Sequence, residues 1–151
     1  MTRPWTTSTA LRFRDFDYLG HMTATSYLAL VEEARVDWLS ADASDLPSYV
    51  VAEQNLVFRR EVLRTDGPLS IAVTGRIVSA DRFEVEEQIT GSTGHVHATS
   101  RAVLVAWDRD RRRPRDLTDR ERALVEGRPS AGPVIPDDGS VHEAPSRQGD
   151  P

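Results

Sequence analysis

The sequence predicts an α+β domain in which a curved antiparallel sheet of about five strands wraps one long helix. Three observations carry the prediction. One early stretch, Ala24 to Ser40, repeats its apolar residues at helical spacing. Four strand-like stretches follow it in succession. The links between those stretches are too short for anything but antiparallel neighbours. With 151 residues the chain can bury one core without staples, so a single domain is expected over residues 1–127.

Each element has its own grounds. Residues 9–14 alternate, with Leu11 and Phe13 on one side and Arg12 and Arg14 on the other, which reads as a half-buried first strand. In the helix Ala24, Tyr27, Leu28, Val31, Ala34, Trp38 and Leu39 form one apolar stripe, while Glu32, Glu33, Arg35 and Asp37 take the remaining surface. Thr23 stands where its hydroxyl can cap the N-terminus, and Glu32 with Arg35 reads as an i,i+3 pair on the wet side. Ala41 to Pro47 breaks the pattern. Strands are then expected at Tyr49 to Leu63, Leu69 to Ser79, Phe83 to Thr90 and His95 to Trp107. Turns fall at Thr65-Asp66-Gly67-Pro68, Ala80-Asp81 and Gly91-Ser92-Thr93-Gly94. Leu69, Ile71, Val73, Gly75 and Ile77 share one face, and Phe83, Val85, Glu87 and Ile89 oppose Glu84, Glu86 and Gln88. Thr118-Asp119-Arg120-Glu121 is a capping box opening a short helix that Gly127 stops. Residues 128–151 hold five Pro and three Gly with almost no apolar pattern, and a disordered tail is expected there.

Composition narrows the chemistry. At 38% hydrophobic and 28% charged residues the chain sits in the soluble globular range, and it holds no apolar run of the roughly 20 residues that span a bilayer. The first residues lack the charged head and apolar stretch of a secretory signal, so a cytoplasmic protein is expected. Cysteine is absent, which removes disulfides, thiolate metal sites and cysteine nucleophiles together. No metal and no cofactor is expected: His95 and His97 share a strand spacing that metals use, but no third ligand has a clear signal, and two exposed histidines account for the pair. Net charge is -5, and the Arg111 to Arg115 run is broken by Pro114 and flanked by aspartates, so nucleic acid is not an expected partner. All 19 basic residues are Arg, the better fork for phosphate. Serines 44, 48 and 100 lack the Gly-x-Ser-x-Gly setting of a serine hydrolase.

Chemistry concentrates in residues 12–39, where Asp15-Phe16-Asp17-Tyr18-Leu19-Gly20-His21 runs directly into the helix, which itself carries Glu33-Ala34-Arg35 after Tyr27. The pattern Asp-x-Asp-x-x-Gly-His, a short polar stretch, a Tyr, and a helix with Glu-x-Ala-Arg resembles the 4-hydroxybenzoyl-CoA thioesterase-like family of acyl-CoA thioesterases. Asp15, Asp17, Gly20, His21, Tyr27, Glu33, Ala34 and Arg35 fill its places. The resemblance implies the hotdog fold and hydrolysis of an acyl-CoA or acyl-carrier-protein thioester to free acid and thiol. It also implies a homodimer or homotetramer, with sites between subunits. This chain departs from the family pattern at Thr23-Ala24, where Asn is common, and at Phe58-Arg59-Arg60-Glu61, where Tyr-x-x-Pro is frequent.

The residues agree with that implication, because a thioester needs a base or nucleophile, a holder of negative charge on the carbonyl oxygen, and a tolerable leaving group. Asp17 is the expected base or nucleophile, and His21 its assistant, as a donor to the carbonyl or as an orienter of Asp17 or water. Met22, Thr23 and Ala24 supply backbone N–H groups at the positive end of the helix and are the expected oxyanion donors. Asp15 reads as a partner for Arg12 or Arg14, or as a turn brace. For the phosphates of CoA the expected forks are Arg59, Arg60 and Arg64, with Arg109, Arg111, Arg112, Arg113 and Arg115 as further candidates. Glu53, Gln54 and Asn55 interrupt an apolar strand, either to place polar groups near the thioester or as a solvated face. The alternative functions on this fold are an acyl-thioester-binding or scaffold protein that does not hydrolyse, and a hydratase or dehydratase.

Overall fold

The computed structural model describes residues 4–40 and 47–127. Within them a six-stranded antiparallel sheet packs against the helix α1, Ala24–Ser40, with a second helix, α2, Asp119–Gly127, near the end. The strands are β1 (Trp5–Thr9), β2 (Tyr49–Phe58), β3 (Leu69–Ile77), β4 (Arg82–Thr90), β5 (Val96–Asp108) and the two-residue β6 (Arg113–Pro114). Their order across the sheet is β1-β3-β4-β5-β2, with β6 beside the end of β5. This is the curled half-barrel around a helix that the hotdog fold names. The expected pattern break at 41–46 and the expected tail at 128–151 lie outside the described residues.

Register explains why one face of the sheet is apolar. Ile71 pairs Ile89, which pairs Ala98; Gly75 pairs Val85, which pairs Ala102; Ile77 pairs Phe83, which pairs Leu104. Because alternate residues face the same way, these rows all point at α1, and every one of them except Gly75 and Ile77 is buried. From the other side α1 brings Tyr27, Leu30, Val31, Ala34 and Trp38. Trp38 lies close on the sheet only because position 75 is glycine: a Cβ there would fall 2.4 Å from the Trp38 ring.

Three expectations need correction. The first strand is Trp5–Thr9, paired with β3 from Trp5↔Val73 to Thr9↔Leu69, rather than residues 9–14. Residues 13–15 instead form a 3-10 turn, closed by the Asp15 carboxylate accepting the Arg12 N–H at 2.7 Å, and Phe13 is 82% exposed. Despite the alternation, the local side-chain-to-backbone bond turns the chain there instead of letting it join the ladder. The second strand stops at Phe58, because the N–H groups of Arg59 and Arg60 both turn onto the His97 carbonyl. Arg35 is not on the wet side with Glu32. It is fully buried and pairs with Glu87 of β4 at 2.7 Å, since the sheet curls far enough round the helix to cover that position.

The capping predictions hold. Thr23 Oγ1 accepts the Ser26 N–H at 3.2 Å, and at α2 the Glu121 carboxylate accepts the Thr118 N–H while Thr118 Oγ1 accepts the Glu121 N–H.

Candidate active site

The segment before α1 folds into a closed loop. Asp17 N–H donates to the His21 carbonyl at 2.8 Å, Gly20 N–H donates to the Asp17 carbonyl at 3.1 Å, and Phe16 bridges Met22. Gly20 has φ +81°, a conformation most side chains resist, which accounts for glycine there. Inside the loop the Asp17 Oδ1 accepts two backbone N–H groups, from Leu19 at 2.9 Å and from His21 at 3.0 Å. The carboxylate is therefore anchored by one oxygen; Oδ2 makes no hydrogen bond among the described residues. An Asx-type turn and a presented carboxylate are here one geometry.

Asp15 is structural. It is buried, takes the Arg12 guanidinium at 3.3 Å, and its carbonyl accepts the Thr23 N–H at 2.9 Å, tying the turn to the helix start. That last bond corrects one expected oxyanion donor, and the Met22 N–H, which donates to the Val62 carbonyl at 3.2 Å, corrects another. Both amides are already spent on holding the loop. The Ala24 N–H remains: it opens α1, has no acceptor within the first helical turn, and makes no other bond among the described residues. No acidic residue stands in that first turn.

His21 sits opposite a residue not anticipated from the sequence. Its Nε2 lies 2.9 Å from the Glu61 carboxylate, and both side chains are about half exposed. Nearby, Tyr27 is buried against Phe58, ring centroids 5.1 Å apart; burial pushes its phenol above the usual range, against the pull of a hydrogen bond with the Val62 backbone. The strand histidines divide. His95 is exposed, but His97 is fully buried, its Nδ1 donating to the Glu61 carbonyl at 2.7 Å. The expectation of two exposed histidines is thus corrected: the second is buried because the β2–β3 connection folds over it.

The arginines do not gather into one cluster. The Arg64 guanidinium stacks over Phe13 at 4.8 Å and Phe16 at 5.2 Å, beside the Asp17 loop. Arg59 reaches Thr99 at a long 3.5 Å, and Arg60 is exposed. Arg111 is held by Asp108, and Arg115 by Glu121 at 2.6 Å. These belong to the far end of β5, roughly 36 Å along the strand from His97 at about 3.3 Å per residue. Of the polar trio in β2, Gln54 faces inward to Arg35 (3.0 Å) and Ser100 (2.7 Å), while Glu53 and Asn55 are exposed. Among the described residues no group of three or more His, Asp and Glu could hold a metal ion. A cavity of about 440 Å³ between Leu39, Tyr49, Phe83, Leu117 and Leu124 opens at the C-terminal end of α1, about 24 Å along the helix from the Asp17 loop at about 1.5 Å per residue.

A curled antiparallel sheet around one long helix is the hotdog class of fold, and the loop before that helix presents one anchored carboxylate. The profile of the Thioesterase-like superfamily matches residues 11–136, and the chain belongs to that superfamily. Among solved structures it is similar to a thioesterase from Thermus thermophilus, crystallised with coenzyme A and zinc, at 27% identity and TM-score 0.75 over 85% of this chain and 98% of that one. A probable thioesterase from Escherichia coli, YbaW, shares 24% identity at TM-score 0.69, covering 81% of this chain and 96% of its own. A 1,4-dihydroxy-2-naphthoyl-CoA thioesterase from Synechocystis shares the fold at 18% identity and TM-score 0.72, over 80% and 94% of the two chains. A search of the curated proteins finds no match.

Proposed function

We propose that the protein hydrolyses an acyl-CoA thioester, with Asp17 as the acting carboxylate and the Ala24 N–H as the oxyanion donor. The observation that carries this reading is the state of Asp17: one oxygen is tied to the Leu19 and His21 amides, and the other is left to act beside the opening of α1. Preset in this way, the carboxylate needs no rearrangement to take a proton from water or to attack the carbonyl carbon. Charge developing on the carbonyl oxygen meets the positive end of the helix, and the departing thiol, with an ordinary pKa of about 8.5, leaves as thiolate without a strong acid. The similarity to the Thermus thermophilus thioesterase crystallised with coenzyme A favours CoA over a carrier protein as the thiol. Arg64, held beside the loop by two aromatic rings, is the phosphate fork this reading favours; Arg59 and Arg60 lie on the connection leading to it.

The reading includes a homodimer formed through β2. Among the described residues that strand is paired on one side only, by β5, and it exposes Val50 at 37%, Val51 at 42%, Val57 at 38% and Phe58 at 53%. Neighbouring residues on opposite faces, Val50 and Val51, are both bare, which a free edge in water does not favour.

Asp17→Asn tests the central claim. Release of free thiol from a mixed acyl-CoA panel falls by ~10²-fold or more, the usual weight of a general base, with thermal unfolding and oligomeric state unchanged. Undiminished release overturns the reading. Label found in the Asp17 carboxylate after a single turnover in ¹⁸O-water marks attack by Asp17, with water then opening the mixed anhydride at the Asp17 carbonyl, whereas base catalysis places the label only in the released acid.

A further inference from the structure

The connection from β2 to β3 is stitched to the Asp17 loop, and it delivers a second carboxylate. Met22 N–H reaches the Val62 carbonyl at 3.2 Å, and His21 Nε2 lies 2.9 Å from Glu61 Oε2. Behind them His97, fully buried, fixes the backbone of Glu61 itself. A carbonyl oxygen only accepts, so His97 Nδ1 carries the proton, and its Nε2 is left an acceptor with no partner among the described residues. Glycine at 91 makes room for this ring: a Cβ there would lie 2.6 Å from His97 Nε2. A buried histidine and a neighbouring glycine thus hold the main chain from which the Glu61 side chain reaches His21. The family pattern often has Pro in this place, which carries no carboxylate.

The Glu61 contact likewise decides what the His21 ring can do. A carboxylate oxygen near neutral pH is an acceptor, so the contact places the proton of a neutral ring on Nε2 and leaves Nδ1 with a lone pair. In that tautomer His21 accepts a hydrogen bond and gives none to the carbonyl oxygen.

We propose that Glu61 is a positioning residue for thioester hydrolysis: it holds the His21 imidazole through Nε2, so that Nδ1 accepts one O–H of the attacking water and orients it. The inference rests on the reading of the Asp17 loop as the catalytic one. Asp17 and His21 then have separate duties: Asp17 takes the proton or attacks the acyl carbon, and His21 only aims the water.

The test combines kinetics with a spectroscopic readout. In Glu61→Ala, kcat falls by ~10-fold to 10²-fold, the range expected for a mispositioned reactant, while KM stays within about twofold. The double variant Glu61→Ala/His21→Ala is no slower than His21→Ala alone, since both remove one unit. Nitrogen-15 spectra of the imidazoles at about pH 8.5, above the ordinary histidine range near 6.5, show His21 protonated on Nε2 in the wild type and mixed tautomers in Glu61→Ala. Glu61→Gln preserves the side chain's shape and an acceptor oxygen, so it keeps the Nε2–H tautomer and most of kcat; Glu61→Met, of similar length but with no carboxylate, takes the place of Ala if the Ala variant unfolds. Full kcat in a folded Glu61→Ala or Glu61→Met variant, additive losses in the double variant, or an Nδ1–H tautomer in the wild type each overturn the proposal. Asp17→Asn run in parallel keeps the two readings apart. If it stays active the loop reading fails; if it is dead while Glu61→Ala is at full rate, only the role of Glu61 fails.

Discussion

Arg35 makes three polar contacts below the surface: Nε to Glu87 at 2.8 Å, Nη2 to the same carboxylate at 2.7 Å, and Nη2 to the Gln54 carbonyl oxygen at 3.0 Å. Among the described residues its Nη1 and the Glu87 Oε2 reach no hydrogen-bond partner, and both side chains are wholly buried. Burial pushes the Glu87 carboxyl up, against the opposing pull of Arg35. A half-satisfied buried pair stabilises little as a whole, yet losing one member strands the other charge. Arg35→Ala therefore costs about 3–5 kcal/mol in urea unfolding, whereas the double change Arg35→Met/Glu87→Leu restores most of that loss. Equal stability of the single and double variants contradicts the pairing. At this scale the sequence was legible where a residue's role is local. Asp15 braces the turn as expected, and Asp17 occupies the loop as expected. Arg35, Glu61 and His97 were not legible, because their partners lie on other strands and a charged residue's default place is in water.

Among the elements, α1 and β3 meet at the tightest point of the core. Trp38 is buried against Gly75, and Val125 of α2 closes the same spot, 3.2 Å from where a Cβ would stand. Gly75→Ala forces the indole or the strand to move and costs about 1–3 kcal/mol, seen as a lower Tm. Adding Trp38→Phe, which removes the ring atom at 2.4 Å, gives back part of it. The helices were readable from their periodicity and caps, with α2 opening at its capping box and α1 at Thr23. β1 was not, since Trp5–Thr9 is a strand by virtue of β3 beside it, and a run of Thr and Ser carries little periodicity of its own.

For the whole molecule, charge placement sets the response to acid. Hydrogen bonding from Arg101, then from Arg76, holds Glu84 below the usual carboxylate range, and the Arg111 backbone N–H does the same for Asp108. Burial pushes Glu121 up, but Arg115 and the Thr118 N–H outweigh it and leave it low. A carboxyl whose pKa is lowered by folding adds stability above its unfolded value and loses it as pH falls through the folded one. Stability therefore declines as pH drops below about 4.5, the ordinary carboxylate range, and Glu84→Gln makes the decline shallower in acid-titrated thermal unfolding. Glu87, raised by burial, works in the opposite sense and at higher pH. Assembly is the second property at this scale. If β2 forms the dimer edge, Val51→Lys/Val57→Lys gives a monomer in light scattering and takes thioester hydrolysis down with it; a dimer that persists places the interface elsewhere.

By itself the sequence determined the fold class, the helix and its caps, and the loop that presents Asp17. Helical and strand periods, turn residues and the Asp-x-Asp-x-x-Gly-His spacing are all local, and local physics reads them directly. Only the tertiary structure decided which amides at the helix start remain free, that Arg35 lies inside, and that Glu61 stands against His21. Those depend on how far the sheet curls and where the β2–β3 connection lands on the loop, and neither is encoded in any short window of the chain.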